Sequence, residues 1–577
     1  MRTLGRVSIG TAACALAMGT WMGLAAGRPQ DKSAAEVDEL FSDFAKPGSP
    51  GCAVAVYRDG KISFAKGYGL ANIEENVPIT EQSVFDIGST SKQFTAASIL
   101  LLERQGKLSI NDDVRKYIPE LPVYGQKITI LHLLNHTSGL RDYLTLMYLA
   151  GINFDSVTTD EDALQIITRQ KAPNFAPGSE FLYSNTGFFL LSVIVKRASG
   201  QTLRDFAAEN IFKPLEMTHT QYHDDHASLI PNRVMAYDPK ENKEGYTLDV
   251  SYFEQTGDGA VHISVEDLQK WDENFYSGQI GGKEFLKEIQ EQGKLNSGKT
   301  LDYAKGLFIA DYRGLHTVRH GGAWGGYRAE LLRFPDQHFS VACLCNRGDA
   351  NTSKLTHDVA DVYLGSLMTA KGGNAAGPTL TDAQLEPLVG TYRDASKGTL
   401  ARISAKNHRL GAEIFGDTVE LRATSATEFV SGSLPGEIRL IFELPSGGTP
   451  KKMRITGVES LAAVYEAVPD YVPSASELAT YAGDYASDEL GVSYRLGIAD
   501  EKLKLVAILD PAGFKRSGGV PMKELRPAIE DEFDVSGTGA DVTLHFKRNS
   551  ERKVTGFTLA AGRTKGMIFT RQTAGEK

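Results

Sequence analysis

Ser89-Thr90-Ser91-Lys92 opens the run KQFTAASILLLERQGKL, residues 92–108, at the point where a strand-like stretch gives way to a helix. The run contains no proline and stops at Gly106, which is the pattern of a helix with a glycine end. Residues three apart on a helix are neighbours, so the Ser89 hydroxyl and the Lys92 amine share one face. A serine is a poor nucleophile near neutral pH and needs an adjacent base together with a site that stabilises an oxyanion. Ser89 falls at the positive end of the helix dipole, where an oxyanion is favoured. Chance matches to S-x-x-K are common, so the rest of the case has to come from downstream.

Two further stretches supply it. Tyr183-Ser184-Asn185 follows a Pro177-Gly178 turn and precedes the apolar helical run TGFFLLSVIVKRAS. Tyr183 and Asn185 face the same way from a short extended loop. A phenol titrates at about 10, so Tyr183 acts as a base only if an ammonium such as Lys92 stabilises its phenolate. The Asn185 amide can both donate and accept, which suits it to holding a substrate amide. His320-Gly321-Gly322 enters the strand beginning near Tyr327, and glycines there let a substrate backbone lie close. His320 would orient the acyl intermediate or tune Tyr183, and Trp324 and Tyr327 would wall the pocket. Each piece also has a plain structural reading: a loop tyrosine with its hydroxyl bonded, a satisfied histidine, core aromatics.

The chain has 577 residues, a net charge of −10, 41% apolar and 23% charged residues, as expected of a soluble globular protein with large cores. That charge, with no dense Lys/Arg run, gives no reason to propose nucleic-acid binding. Arg2 and Arg6 precede an uncharged apolar stretch from Val7 to Ala26, and Ala25-Ala26-Gly27 offers a cleavage site. The expectation is a signal peptide over 1–27 and a secreted or periplasmic protein, with an uncleaved membrane anchor as the alternative. Outside that segment stand Cys52, Cys343 and Cys345. Cys343 and Cys345 alternate on one strand and should share a face; an oxidising compartment permits a disulfide, but buried free thiols are the expectation.

Alternating helix and strand run from Val37 to Met368, including an Asp59-Gly60 hairpin, helices near 92–105, 186–198 and 265–275, and strands at 328–334 and 339–346 about a Pro335-Asp336 turn. This is an α+β pattern, with antiparallel strands supplied by both ends of the segment. A linker follows at 370–378. Beyond it Thr381-x-x-Gln384-Leu385 recurs as Ser474-x-x-Glu477-Leu478, and Gly390-x-Tyr392 as Gly483-x-Tyr485, both 93 residues on. Each copy opens with a capping-box pattern and continues as short β-rich runs, predicting two small antiparallel barrels. The expected division is 28–370, 379–470 and 471–577 after the signal segment.

The three motifs in this order resemble the penicillin-recognising serine hydrolase superfamily, which includes class C β-lactamases, D,D-peptidases, D-aminopeptidases and related esterases. The resemblance covers roughly residues 37–368 and includes LLNHTSGL (133–140), PLEMTHT (214–220) and GDGAVHISVEDL (257–268). It implies a serine β-lactamase-like domain of antiparallel sheet, flanking helices and a helical subdomain. It further implies Ser89 as the acylated nucleophile and Lys92 and Tyr183 as the proton-transfer pair. Asn185, His320, Gly322 and Ala323 would lie against substrate, with the amides of Ser89 and Ala323 as the oxyanion hole. The third motif of β-lactamases usually begins with lysine, which meets the β-lactam carboxylate; His320 here is similar to D-aminopeptidases and some D,D-peptidases and esterases. Tandem C-terminal barrels are also similar to D-aminopeptidase, in which a barrel loop reaches the active site.

The expected function is therefore a secreted serine hydrolase of D-amino-acid-containing peptides or amides, peptidoglycan debris among them. The alternatives, in order, are a carboxylesterase on short acyl esters, a β-lactamase and a non-catalytic envelope-binding protein. No cofactor and no metal is expected. His219, His223 and His226 have a spacing that could ligate one, but read as a family-like turn and a polar loop, and His136 reads as structural.

Overall fold

The computed structural model describes residues 32–153, 155–240, 242, 244–370, 377–395, 398–414, 417–431, 438–445, 451–456, 463–509, 523–535 and 542–572. The proposed signal segment and most of the linker lie outside these. Among the described residues no helix is long and apolar enough to cross a membrane.

The first domain is built on an antiparallel sheet whose strands come from the two ends of the segment. They are β1 (Cys52–Arg58), β2 (Lys61–Tyr68), β3 (Gln292–Lys294), β4 (Thr300–Ala304), β5 (Leu307–Tyr312), β6 (Leu315–Trp324), β7 (Tyr327–Phe334) and β8 (Phe339–Cys345). Their order across the sheet is β3-β4-β5-β6-β7-β8-β1-β2. Asp59 and Gly60 both take left-handed conformations (φ 49° and 72°), the geometry that matches a two-residue turn to strand twist and closes the β1–β2 hairpin. The strands cross at β1–β8, where Cys52 lies opposite Cys345.

Helices α1 (Lys32–Leu40), α2 (Lys92–Arg104), α3 (Asn185–Ser199), α4 (Val265–Ser277) and α5 (Thr352–Leu364) cover the sheet and build the helical subdomain. Val37 and Phe41 of α1 and Val359 of α5 pack with Val54, Val56 and Val341 on one face. On the other, Ala53, Ala55 and Leu344 join a larger core with Phe94 of α2, Phe188 of α3 and Trp271 of α4. Since β1 and β8 are covered on both sides, they are buried along nearly their whole length and mostly apolar rather than alternating.

The cysteines depart from the expectation of free thiols. Cys343 and Cys345 do share a face, their sulfurs 3.6 Å apart. Cys345, however, is disulfide-bonded to Cys52, and of the described cysteines Cys343 is free and buried. The pairing joins residues 293 apart in sequence and exists only because the ends of the domain meet as neighbouring strands.

The C-terminal repeat is two closed eight-stranded barrels, spanning Gly390–Val468 and Gly483–Arg571. Both capping boxes form, Thr381 with Gln384 and Ser474 with Glu477. The repeated tyrosines do the same work: the Tyr392 hydroxyl donates to Leu388 O at 2.6 Å, and the Tyr485 hydroxyl to Tyr481 O at 2.7 Å. The first barrel has its own core, whereas the second is continuous with the core of the first domain. The barrels meet through Arg393–Glu532 and Arg402–Asp534 pairs, so the last barrel lies between its twin and the first domain.

Candidate active site

Gly88–Ser91 form a single 3-10 turn that runs directly into α2. Gly88 has φ 46°, and a Cβ on it would come within 2.7 Å of Ala323 N. A Cβ at Gly322 would collide with Ile87 O. Only glycines allow this approach, which lays the serine turn against the end of β6 and sets the Ser89 and Ala323 backbones side by side. The Thr90 hydroxyl, donating to His320 O at 3.1 Å, pins the same contact. Ser89 is half-buried and Ala323 exposed, so this seam is open to solvent.

Lys92 is fully buried and its three N–H groups are all matched. Nζ donates to Ser89 Oγ at 2.9 Å, to Asn185 Oδ1 at 3.0 Å and to Asp258 O at 2.6 Å. Asn185 begins α3, and its backbone N–H donates to Asp142 Oδ2 at 2.6 Å. Asp142 also caps the helix Tyr143–Leu149 through Thr145 N. The Asp258 carboxyl accepts from the Tyr143 hydroxyl at 3.1 Å; burial pushes it up to about 7, and Lys92 partly offsets this.

Tyr183 takes its place beside these residues without a hydrogen bond to either. Lys92 Nζ lies 5.0 Å from its ring centroid, over the face rather than at the hydroxyl. That hydroxyl is buried with no hydrogen-bond partner in the protein. Buried polar groups are almost always paired, which sets this hydroxyl apart from Lys92 and Asn185 beside it.

Behind Tyr183 runs a chain of donors and acceptors that the sequence reading did not contain. Ser184 N–H donates to His136 Nδ1 at 3.2 Å, which makes Nε2 of that ring the protonated nitrogen. Nε2 then donates to the Tyr303 hydroxyl at 3.1 Å, and Tyr303 in turn donates to His320 Nε2 at 3.3 Å. His320 Nδ1 donates to Gly321 O at 2.6 Å. The Tyr303 hydroxyl accepts from one ring and donates to the other, and both histidines are neutral: burial pushes His136 well below its ordinary value and His320 down to about 3. Both ring nitrogens of His320 are engaged within the protein, and its ring lies 6.2 Å from that of Tyr183, which it also reaches through Tyr303 and His136; of the two expected roles, this arrangement favours tuning Tyr183. His136, read as structural, packs its ring 4.1 Å from that of Tyr183. Its segment was visible in LLNHTSGL, but its neighbour Tyr303 carried no local signal.

Of the flanking aromatics, Tyr327 is core, its hydroxyl donating to Val234 O, while Trp324 is half-buried against Phe253. The three spaced histidines do not converge. His223 is buried against Ser228 and His262, and His226 meets Asp225 and Glu254 instead.

The last barrel also enters the site. Its final strands, Val554–Ala561 and Thr564–Arg571, are joined by Gly562-Arg563. The Arg563 guanidinium carbon stands 4.7 Å from the Tyr183 ring centroid. Nothing in the sequence around Arg563 distinguishes it from other barrel turns.

Residues 37–364 match the protein-family model described as Beta-lactamase. Penicillin-binding protein 4* of Bacillus subtilis (strain 168) is 30% identical over 407 residues, 66% of this chain and 87% of that protein. D-aminopeptidase of Gluconobacter oxydans (strain 621H) is 28% identical over 360 residues, and the match spans 62% of this chain but just 65% of that protein's length. The octameric penicillin-binding protein homologue from Pyrococcus abyssi shares the fold, with a TM-score of 0.54 at 22% identity over 76% of this chain and 100% of that one.

Proposed function

The chain belongs to the Beta-lactamase family and is a serine hydrolase, and from that premise we propose that it acts through a Ser89 acyl-enzyme on peptides or amides containing a D-amino acid. The observation that carries the mechanism is Lys92 Nζ, buried and 2.9 Å from Ser89 Oγ, beside the unpartnered hydroxyl of Tyr183. Because Lys92 donates to Ser89 Oγ, the hydroxyl's own proton is directed away from it. Tyr183, acting as a phenolate stabilised by the neighbouring Lys92 ammonium, takes this proton and becomes the neutral phenol as Oγ attacks the substrate carbonyl. The amides of Ser89 and Ala323 hold the oxyanion. Tyr183 then gives the proton to the leaving amine as the C–N bond breaks. Water, deprotonated by the same pair, releases the acid and regenerates Ser89. Asn185, its Oδ1 occupied by Lys92, offers its Nδ2 donors to a substrate carbonyl.

The substrate class is supported by the likeness to a penicillin-binding protein and a D-aminopeptidase. A neutral His320 at the third motif argues against β-lactams, whose carboxylate calls for a cation there. Export is part of the reading, supported by the apolar segment at residues 7–26 and by the Cys52–Cys345 disulfide, a bond typical of oxidising compartments. The test is hydrolysis of a D-alanyl anilide and a short-chain nitrophenyl ester, with Ser89→Ala in parallel. Anilide turnover that disappears in the variant supports the amidase reading. Ester turnover alone moves it to an esterase, and no turnover above the variant overturns the mechanism.

A further inference from the structure

Arg563 projects from the last barrel onto the ring of the proposed proton-transfer residue, and its setting is built rather than incidental. Asn174 Nδ2 donates to Arg563 O at 2.9 Å, and Lys565 N–H donates back to Asn174 Oδ1 at 2.8 Å. Two residues along, Arg141 Nε and Nη2 donate to Lys565 O and Gly566 O at 3.1 and 3.3 Å. Arg141 is itself held by a buried pair with Glu489 of the same barrel. The turn is therefore clamped to the first domain at Arg563 and at the residues that follow it, while the Arg563 side chain remains 45% exposed.

The charges around it are unbalanced. Asp142 Oδ2 approaches Arg563 at 3.9 Å, but this carboxylate is buried and already accepts from Asn185 N, Thr145 N and the Thr145 hydroxyl. It leaves most of the five-donor guanidinium fork for another acceptor. His136 and His320 are neutral, and Lys92 is committed to three acceptors. Arg563 is thus the exposed positive charge at Tyr183, suited to bidentate pairing with a carboxylate and repulsive to an ammonium.

We propose that Arg563 is a specificity residue that recognises the free α-carboxylate of a C-terminal amino acid leaving group. The proposal rests on the acyl-enzyme reading above, in which Tyr183 protonates the leaving nitrogen. In an amino acid the carboxyl carbon lies about 2.5 Å from that nitrogen. A leaving group whose nitrogen meets the Tyr183 hydroxyl can therefore lay its carboxylate across the ring, toward Arg563. The substrate class narrows to peptides cleaved at a carboxy-terminal residue, in preference to amides bearing a free amino terminus.

The experiment compares kcat/KM for N-acetyl-D-alanyl-D-alanine and its C-terminal amide in the full-length protein, in Arg563→Gln and in Arg563→Lys. The expected result is an acid-over-amide preference of at least tenfold, lost in Arg563→Gln mainly through KM and largely kept in Arg563→Lys. Cleavage of both peptides with the same preference in all three proteins overturns this proposal alone. So does an equal loss of preference in both variants, which would indicate that the turn's shape matters and not its charge. If wild type cleaves neither peptide, the acyl-enzyme reading on peptides fails and the proposal falls with it.

Discussion

Arg141 and Glu489 form an ion pair 2.6 Å long in which both side chains are almost wholly buried, 3% and 4% exposed, although one belongs to the first domain and the other to the last barrel. Gln170 Oε1 accepts from the same Arg141 nitrogen, and Lys171 N–H donates to the same Glu489 oxygen. Removing one member strands a buried charge. Glu489→Ala is expected to cost about 3–5 kcal/mol, whereas Arg141→Met with Glu489→Leu recovers most of it. Denaturant midpoints for the single and double variants check this; equal losses in both would mean that the pair itself does not hold the barrel.

Ser89→Ala and Lys92→Ala act on one unit. Each is expected to lower kcat by about 10^4-fold or more, and the double variant to lose little beyond either. Additive losses would show that Lys92 does not work through Ser89.

Stability should carry a readable pH signature. Asp258, ordinarily 3.8, is held at about 7. From about pH 4 to 7 the folded protein retains a proton there that the unfolded chain has lost, so this group makes stability fall as pH rises through that window. His320, lowered from 6.5 to about 3, works in the opposite direction: between those values the unfolded chain binds the extra proton, so stability rises with pH. Asp258→Asn removes the first contribution, and its stability relative to wild type should increase from pH 4 to 7. The same difference at both pH values would sink the assignment.

Tyr303→Phe leaves His136 Nε2–H without an acceptor and His320 Nε2 without a donor, both buried. A cost of about 1–3 kcal/mol per stranded group is expected. His136, packed against the ring of Tyr183, also loses the bond that fixes it, so kcat should fall more than KM changes. Unchanged stability by chemical denaturation would mean that the chain of donors is not formed.

Reduction of Cys52–Cys345 should lower stability by about 2–5 kcal/mol, given the long loop it closes. Cys52→Ser should reproduce the effect of reductant and abolish any further response to it. A thermal melt of wild type with and without dithiothreitol reads this directly, and no shift would show that the bond adds nothing.

The parts legible in the chain were those that local physics specifies. Asp59-Gly60 had to turn because both residues tolerate left-handed backbone, and the capping boxes at Thr381 and Ser474 formed because each satisfies two orphan donors within four residues. Ser89 and Lys92 lie three residues apart where a 3-10 turn runs into a helix, so their 2.9 Å contact followed from local helical winding. Tyr183 and Asn185 were found as a motif, yet their geometry was not: Asn185 binds Lys92, and Tyr183 does not.

What the amino-acid sequence by itself determined was therefore the pairing of Ser89 with Lys92, the strand and helix pattern, and the duplication that makes two barrels. Tertiary structure decided everything that joins distant segments: the Cys52–Cys345 bond, the His136–Tyr303–His320 chain and Arg563 above Tyr183. The physical reason is range. Backbone propensity and capping act over a few residues and leave a periodic trace in the chain, whereas a buried pair or a cation over a ring depends on which surfaces meet when the cores close, and no period in the sequence records that meeting.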